Sequence, residues 1–273
     1  MKRGVRPMET LTVMSFNLKR DLLPFGPHAW QYRAAQAAGL IRKTAPDILG
    51  TQELTEGPLG DMERLLPQYQ WVGEGRGGGS KGEHTAIFFR RDRFRLMSQQ
   101  TFWLSRTPDH PSRDWTTPFP RICTWCELQP VDSPDRPVRV YNTHLDHISY
   151  FARVRGLREI LRHISDRYAA APGPVILMGD FNATPTSRTL RRWIAADLEK
   201  SAGLMRDCYW GILQRGGEIG RSYHGFTGKT KGAPIDYIFT SRDLVLREVE
   251  LRREPVLGGF PSDHYPVVAQ VEL

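Results

Sequence analysis

The stretch Met178-Gly179-Asp180-Phe181-Asn182-Ala183-Thr184-Pro185 is the most informative in this chain. A hydrophobic run, Pro174 to Met178, reads as a buried strand that stops at an Asp-x-Asn pair and a proline-limited turn. An aspartate and an amide two residues apart make a rigid polar tip. One side chain can take a proton or sit beside a cation, and the other can donate to an anionic oxygen. That pairing suits metal-assisted attack on phosphorus, although an Asx turn closing a strand explains the same residues.

Around that tip the chain is globular in composition. It has 273 residues, 40% of them hydrophobic, which excludes a disordered polymer and allows a substantial core. Lysine and arginine number 38 against 30 acidic residues, and the net charge of +8 favours phosphate-bearing or polyanionic partners. Three cysteines are too few for a disulfide framework. Cys123 and Cys126 have C-x-x-C spacing, but on a strand they point to opposite faces and make no zinc or redox pair. No run reaches membrane-spanning length, and no apolar signal-type segment opens the chain, so no membrane anchor is expected. A cytoplasmic, reducing compartment is the expectation, with a removed signal peptide as the alternative.

Strand-type runs and helical stripes alternate early, and strands dominate later. Helices are expected over His28–Lys43, Leu59–Leu66, Ser149–Ala170 and Ser187–Ala196. No internal repeat or linker divides the chain, so residues 1–273 read as one domain. Two sheets packed face to face with helices outside would bury this many strands. Gly73 to Gly82 holds six glycines in ten residues and reads as a mobile loop, basic through Arg76 and Lys81, that can meet a phosphate chain; it lacks the P-loop pattern. Ser105 to Pro120, with four prolines, Trp115 and Phe119, reads as a long excursion that either stacks a base or walls off a site.

Polar residues recur at the strand ends. Asn17 follows Val13-Met14-Ser15-Phe16, and Glu53 follows Ile48 to Gln52. His144 and Asp146 follow Val140-Tyr141-Asn142-Thr143, and Asp180 and Asn182 follow Val175 to Met178. Asp236 sits within Pro234-Ile235-Asp236-Tyr237-Ile238, and Asp263-His264 precede Tyr265-Pro266-Val267-Val268. Each alone is a plausible cap. Six together predict convergence on one site.

Ser-Phe-Asn17, Gln52-Glu53, Asn142-Thr-His144, Gly-Asp180-Phe-Asn182, Ile-Asp236-Tyr-Ile and Ser262-Asp263-His264 resemble, in order, the motifs of the endonuclease/exonuclease/phosphatase superfamily. The resemblance spans residues 13 to 268. It implies an α/β fold, a four-layer α/β/β/α sandwich, and Mg²⁺- or Mn²⁺-dependent phosphoester hydrolysis.

It also implies roles. Glu53 would be the direct metal ligand, with Asn17 beside it and Asp263 reached across the site, since hard cations take oxygen donors. Asp180 would orient or deprotonate the attacking water, and Asn182 would hold a phosphate oxygen. His264 would act as general base or transition-state donor, oriented by Asp236. His144 would be a second imidazole on the phosphate, oriented by Glu83 at the head of Glu83-His84-Thr85-Ala86. Arg121 matches a phosphate-contacting arginine. The resemblance favours a phosphodiesterase or nuclease, with a phosphoester substrate that includes nucleic acid, acting as a monomer. A phosphomonoesterase for a small phosphorylated metabolite is the alternative on the same residues. A non-catalytic binding module would be expected to lose Glu53, Asp180 or His264, and all three are present.

Overall fold

The computed structural model describes residues 10–21, 25–114, 116–191, 204–209, 212 and 216–273. Trp115 lies outside these residues, as does the expected helix over Ser187–Ala196 beyond residue 191; residues 188–191 are helical.

Two six-stranded sheets lie face to face. The first runs β11 (Val245–Leu251), β12 (Val267–Glu272), β1 (Thr10–Asn17), β2 (Ile48–Gln52), β4 (Ile87–Arg90), β3 (Tyr69–Val72). The second runs β5 (Phe94–Trp103), β6 (Ile122–Pro130), β7 (Val138–His144), β8 (Val175–Asp180), β10 (Asp236–Ser241), β9 (Met205–Asp207). Each sheet has one parallel pair, β1–β2 and β7–β8. Parallel neighbours need a crossover, and here it is a helix each time. Helix α1 (Trp30–Thr44) joins the first pair and α3 (Tyr150–Ala170) the second.

Alternation along the strands separates the layers. On β1, Leu11 and Val13 join the core between the sheets, while Met14 and Phe16 face α1 and α2 (Glu56–Leu65). Trp30, Ala37, Ala38 and Ile41 of α1 close that outer layer. On the other side, Leu157, Ile160, Leu161 and Ile164 of α3 pack on the second sheet. The result is the four-layer α/β/β/α sandwich. Helix α1 stops where Ala45 turns left-handed (φ 48°) before Pro46, and α3 starts at Ser149, whose hydroxyl accepts the Ala152 N–H.

Two expectations are corrected. The strand expected over His84–Arg90 begins at Ile87, because His84 is diverted into isolated bridges with Leu54 and Gly75. Gly73 to Gly82 is a folded turn with its own backbone hydrogen bonds, such as Gly75 N–H to Gly79 O (2.6 Å) and Gly77 N–H to Lys81 O (2.8 Å).

A polar lock crosses between the sheets. Asn142 on β7 donates to the carbonyls of Thr51 and Ala86, both at 2.9 Å, and accepts Gln52 Nε2 at 2.7 Å. Asn142 and Gln52 are fully buried. Gly50 makes the room, since a Cβ there would lie 2.9 Å from Asn142 Cγ. Replacing Asn142 by alanine removes the inter-sheet donor to the Thr51 and Ala86 carbonyls, leaves Ala86 O with only its Thr51 partners, and leaves Gln52 Nε2 with only long contacts of 3.4 Å to Ser15 and Gly50. Asn142→Ala should therefore lower the unfolding free energy by about 3 kcal/mol or more, read by urea denaturation. A cost under about 1 kcal/mol would show that the amide is not a lock.

Candidate active site

Strand register brings the site together. His144 on β7 pairs with Asp180 on β8, and Asp180 pairs with Asp236 on β10. The three side chains thus stand side by side on the face turned toward the first sheet. His264, between Ser262-Asp263 and β12, adds its ring: Nδ1 lies 2.8 Å from Asp236 Oδ2, and Nε2 lies 3.8 Å from Asp180 Oδ2. His144 Nε2 is also 3.8 Å from Asp180 Oδ2. All four residues are buried.

The first sheet supplies the opposite wall. The Asn17 amide donates to Glu53 Oε1 (2.9 Å) and to Asp180 Oδ2 (3.0 Å), so it joins the two sheets at the site. Glu53 also accepts the Arg20 N–H at 2.7 Å. Its backbone is left-handed (φ 69°), as is that of Asn182 (φ 47°). Non-glycine residues held there cost free energy and cluster at functional sites. Asn182 donates its side-chain amide to Leu145 O (3.0 Å) and its backbone N–H to Asp180 Oδ1 (2.9 Å). Asp263 Oδ2 faces the Lys19 ammonium at 3.2 Å.

Crowded carboxylates shift one another. Burial, then the charge of Asp236, pushes Asp180 up to about 7 despite the opposing His264. Burial alone would lower His264, but the charge and hydrogen bond of Asp236 outweigh it and bring the imidazole to about 10. Burial would raise Glu53, yet nearby His144, the Arg20 N–H and the Asn17 amide bring it to about 2. Burial and the Arg121 charge hold His144 well below the ordinary histidine value. The site therefore combines a fixed carboxylate, a carboxyl poised near neutrality and an imidazolium.

These groups open into a cavity of about 400 Å³, also lined by Lys19, Arg20, Arg76, Phe119, Arg121 and Tyr223. Arg121 is held by Asp146 (3.3 Å) and His147 (2.9 Å), which gives both of those residues a place in the site. Glu83 does not orient His144 as the sequence suggested. Its two oxygens are taken by Arg20 (3.1 Å) and Arg76 (2.9 Å). Of the two cations expected in the glycine-rich loop, Arg76 lines the cavity and Lys81 does not. Reading the sequence missed Lys19, Arg20 and Tyr223 as lining residues; adjacency of Lys19 and Arg20 to the Asn17 strand end was the available signal, and Tyr223 had none. Asp180, Asp236 and His264 place one ligand-capable atom each within 4.8 Å of one another. No helix among the described residues is long and apolar enough to cross a membrane.

Comparison with known proteins agrees with this fold. The endonuclease/exonuclease/phosphatase family model matches residues 14–264. A mannosyl-6-phosphatase of Bacteroides thetaiotaomicron is 30% identical, with a TM-score of 0.85 covering 96% of this chain and 99% of that one. An uncharacterized protein of Acanthamoeba polyphaga mimivirus is 29% identical over 57% of this chain, and nocturnin of Mus musculus is 25% identical over 66%. The aligned regions span 60% and 41% of those two relatives' own lengths. The chain belongs to the endonuclease/exonuclease/phosphatase family of phosphoric ester hydrolases.

The charge pairing is directly measurable. Asp236→Asn should bring the His264 pKa down from about 10 toward the ordinary histidine range, read by an NMR titration of the ring protons. A value still near 10 would assign the shift to other groups.

Proposed function

We propose that this protein is a Mg²⁺- or Mn²⁺-dependent hydrolase of small phosphate monoesters. The observation that carries the reading is the cavity of about 400 Å³, with Asp180 and His264 at one wall and Lys19, Arg20, Arg76 and Arg121 around it. That volume suits a small ligand. The mannosyl-6-phosphatase likeness over nearly the whole chain points the same way.

The donor set fits a hard divalent cation. Glu53 and Asp180 bring two carboxylates to one Asn17 amide, and Glu53 stays ionised well below neutral pH. Glu53 and Asn17 would hold the ion. Asp263 could join only by exchanging its Lys19 contact. The Asp180–Asp236–His264 group is better used as a proton relay, because His264 Nδ1 is already committed to Asp236 at 2.8 Å. A bound cation supplies positive charge against the phosphate oxygens.

The chain's own residues do the rest. With its pKa near 7, Asp180 is suited to accept the proton of the attacking water. His264, kept protonated by Asp236, donates to the charge that builds on phosphorus-bound oxygen. Asn182, His144 and Arg121 hold the other phosphate oxygens. Asn182 has one amide hydrogen on Leu145 O and a second for the substrate. Asp236 and Asp146 orient His264 and Arg121.

A phosphodiesterase or nuclease is the second reading, favoured by the net charge of +8 and a pI of about 9.6. p-Nitrophenyl phosphate, bis-p-nitrophenyl phosphate and plasmid DNA, each with Mg²⁺ or Mn²⁺, separate the two. Turnover of the monoester above the diester is expected; hydrolysis confined to the diester and plasmid would overturn the monoester reading. Asp180→Asn and His264→Ala should each reduce kcat by at least ~10²-fold with the fold intact by circular dichroism. Glu53→Gln should weaken Mn²⁺ binding measured by calorimetry, and unchanged affinity would remove Glu53 as a ligand.

A further inference from the structure

The glycine-rich turn is built to deliver one side chain. A Cβ on Gly75 would lie 2.3 Å from the Lys81 carbonyl oxygen, and one on Gly77 would lie 3.1 Å from the same atom. Only glycine lets the chain fold back this tightly. Lys81, the other cation of the turn, is exposed and does not line the cavity. Arg76 does, and it is fixed from three sides. Its backbone carbonyl accepts Trp103 Nε1 at 2.8 Å, its guanidinium donates to Glu83 Oε2 at 2.9 Å, and the same group lies 4.8 Å from the Phe119 ring centroid.

Arg20 comes to Glu83 from the opposite side. Its backbone N–H rests on Glu53 and its guanidinium on Glu83 Oε1 at 3.1 Å. One arginine side chain therefore spans from the carboxylate proposed to hold the cation to the Glu83 clamp. The clamp lines the same cavity as Asn182 and His264, with Arg121 and His144 as its neighbours. Two guanidiniums share one carboxylate there, which leaves a net positive charge and unused N–H donors facing the cavity.

We propose that Arg76 and Arg20, held by Glu83 as a positioning residue, form a second anion subsite. It would take a further anionic group, phosphate or carboxylate, on the part of the substrate that leaves, with Phe119 bordering it. The preferred substrate class is then a small phosphate monoester that carries a second negative charge. This rests on the monoester reading above.

The experiment compares kcat/KM with Mg²⁺ for fructose 6-phosphate, fructose 1,6-bisphosphate and 6-phosphogluconate. At least one of the two doubly anionic substrates should be preferred by about 10-fold or more, mainly through KM, and which one identifies the second group. That preference should fall to near one in Arg76→Gln and Glu83→Gln, and Arg76→Lys should restore part of it. A wild-type ratio near one, or a ratio unchanged in Arg76→Gln, would overturn the subsite. Calorimetric binding of the same compounds to Asp180→Asn protein reads the subsite without turnover. Equal affinities there also overturn it, whereas discrimination in binding with no monoester turnover by the wild type would sink the monoester reading and leave the subsite standing.

Discussion

The site depends on how two sheets are held against each other at a single depth. Asn142 does this with an amide that reaches from β7 to the carbonyls of Thr51 and Ala86, while Gln52 closes the ring. Hydrophobic burial holds the sheets together but is non-directional, so it leaves their relative slide loosely defined. A fully satisfied buried amide is directional and expensive to leave unpaired. The lock lies two residues before His144 on β7 and beside Glu53 at the end of β2. The depth it sets is therefore the depth at which Glu53 meets Asp180 across the Asn17 amide.

Register then does the chemical work. Placing Asp180 directly opposite Asp236 on neighbouring strands is a like-charge pairing that sheets ordinarily avoid. Burial and then that pairing push the Asp180 carboxyl up to about 7, and the charge and hydrogen bond of Asp236 outweigh burial to bring the His264 imidazole to about 10. Asp236 thus contributes to both departures, one group suited to accept a proton and one to donate. Glu53, supported by Arg20 N–H and Asn17, stays ionised on the facing wall. The arginines enter from loops outside the sheets, whereas Asp180 and Asp236 stand at strand ends.

Much of this was legible in the sequence. Apolar runs ending in Asn17, Glu53, His144 and Asp180 announced strand ends, and their recurrence predicted convergence on one site. The four-layer packing followed from strand number and the helical stripes. What was not legible depends on contacts between distant residues. Asn142 stood in plain view within its motif, but its work as an inter-sheet tie needs Thr51 and Ala86 opposite. Glu83 was placed near the site correctly and given the wrong neighbour, because Arg20 and Arg76 lie 63 and 7 residues from it. The glycine-rich segment was read as mobile because composition does not distinguish glycine used for freedom from glycine used for close approach.

The central claim is that Glu53 and Asn17 hold the cation while Asp180, Asp236 and His264 move protons. Anomalous diffraction from crystals grown with Mn²⁺ tests it most directly. The account predicts a manganese peak at the Glu53 carboxylate, with the His264–Asp236 hydrogen bond retained. A peak centred among Asp180, Asp236 and His264, with that hydrogen bond broken, would contradict it.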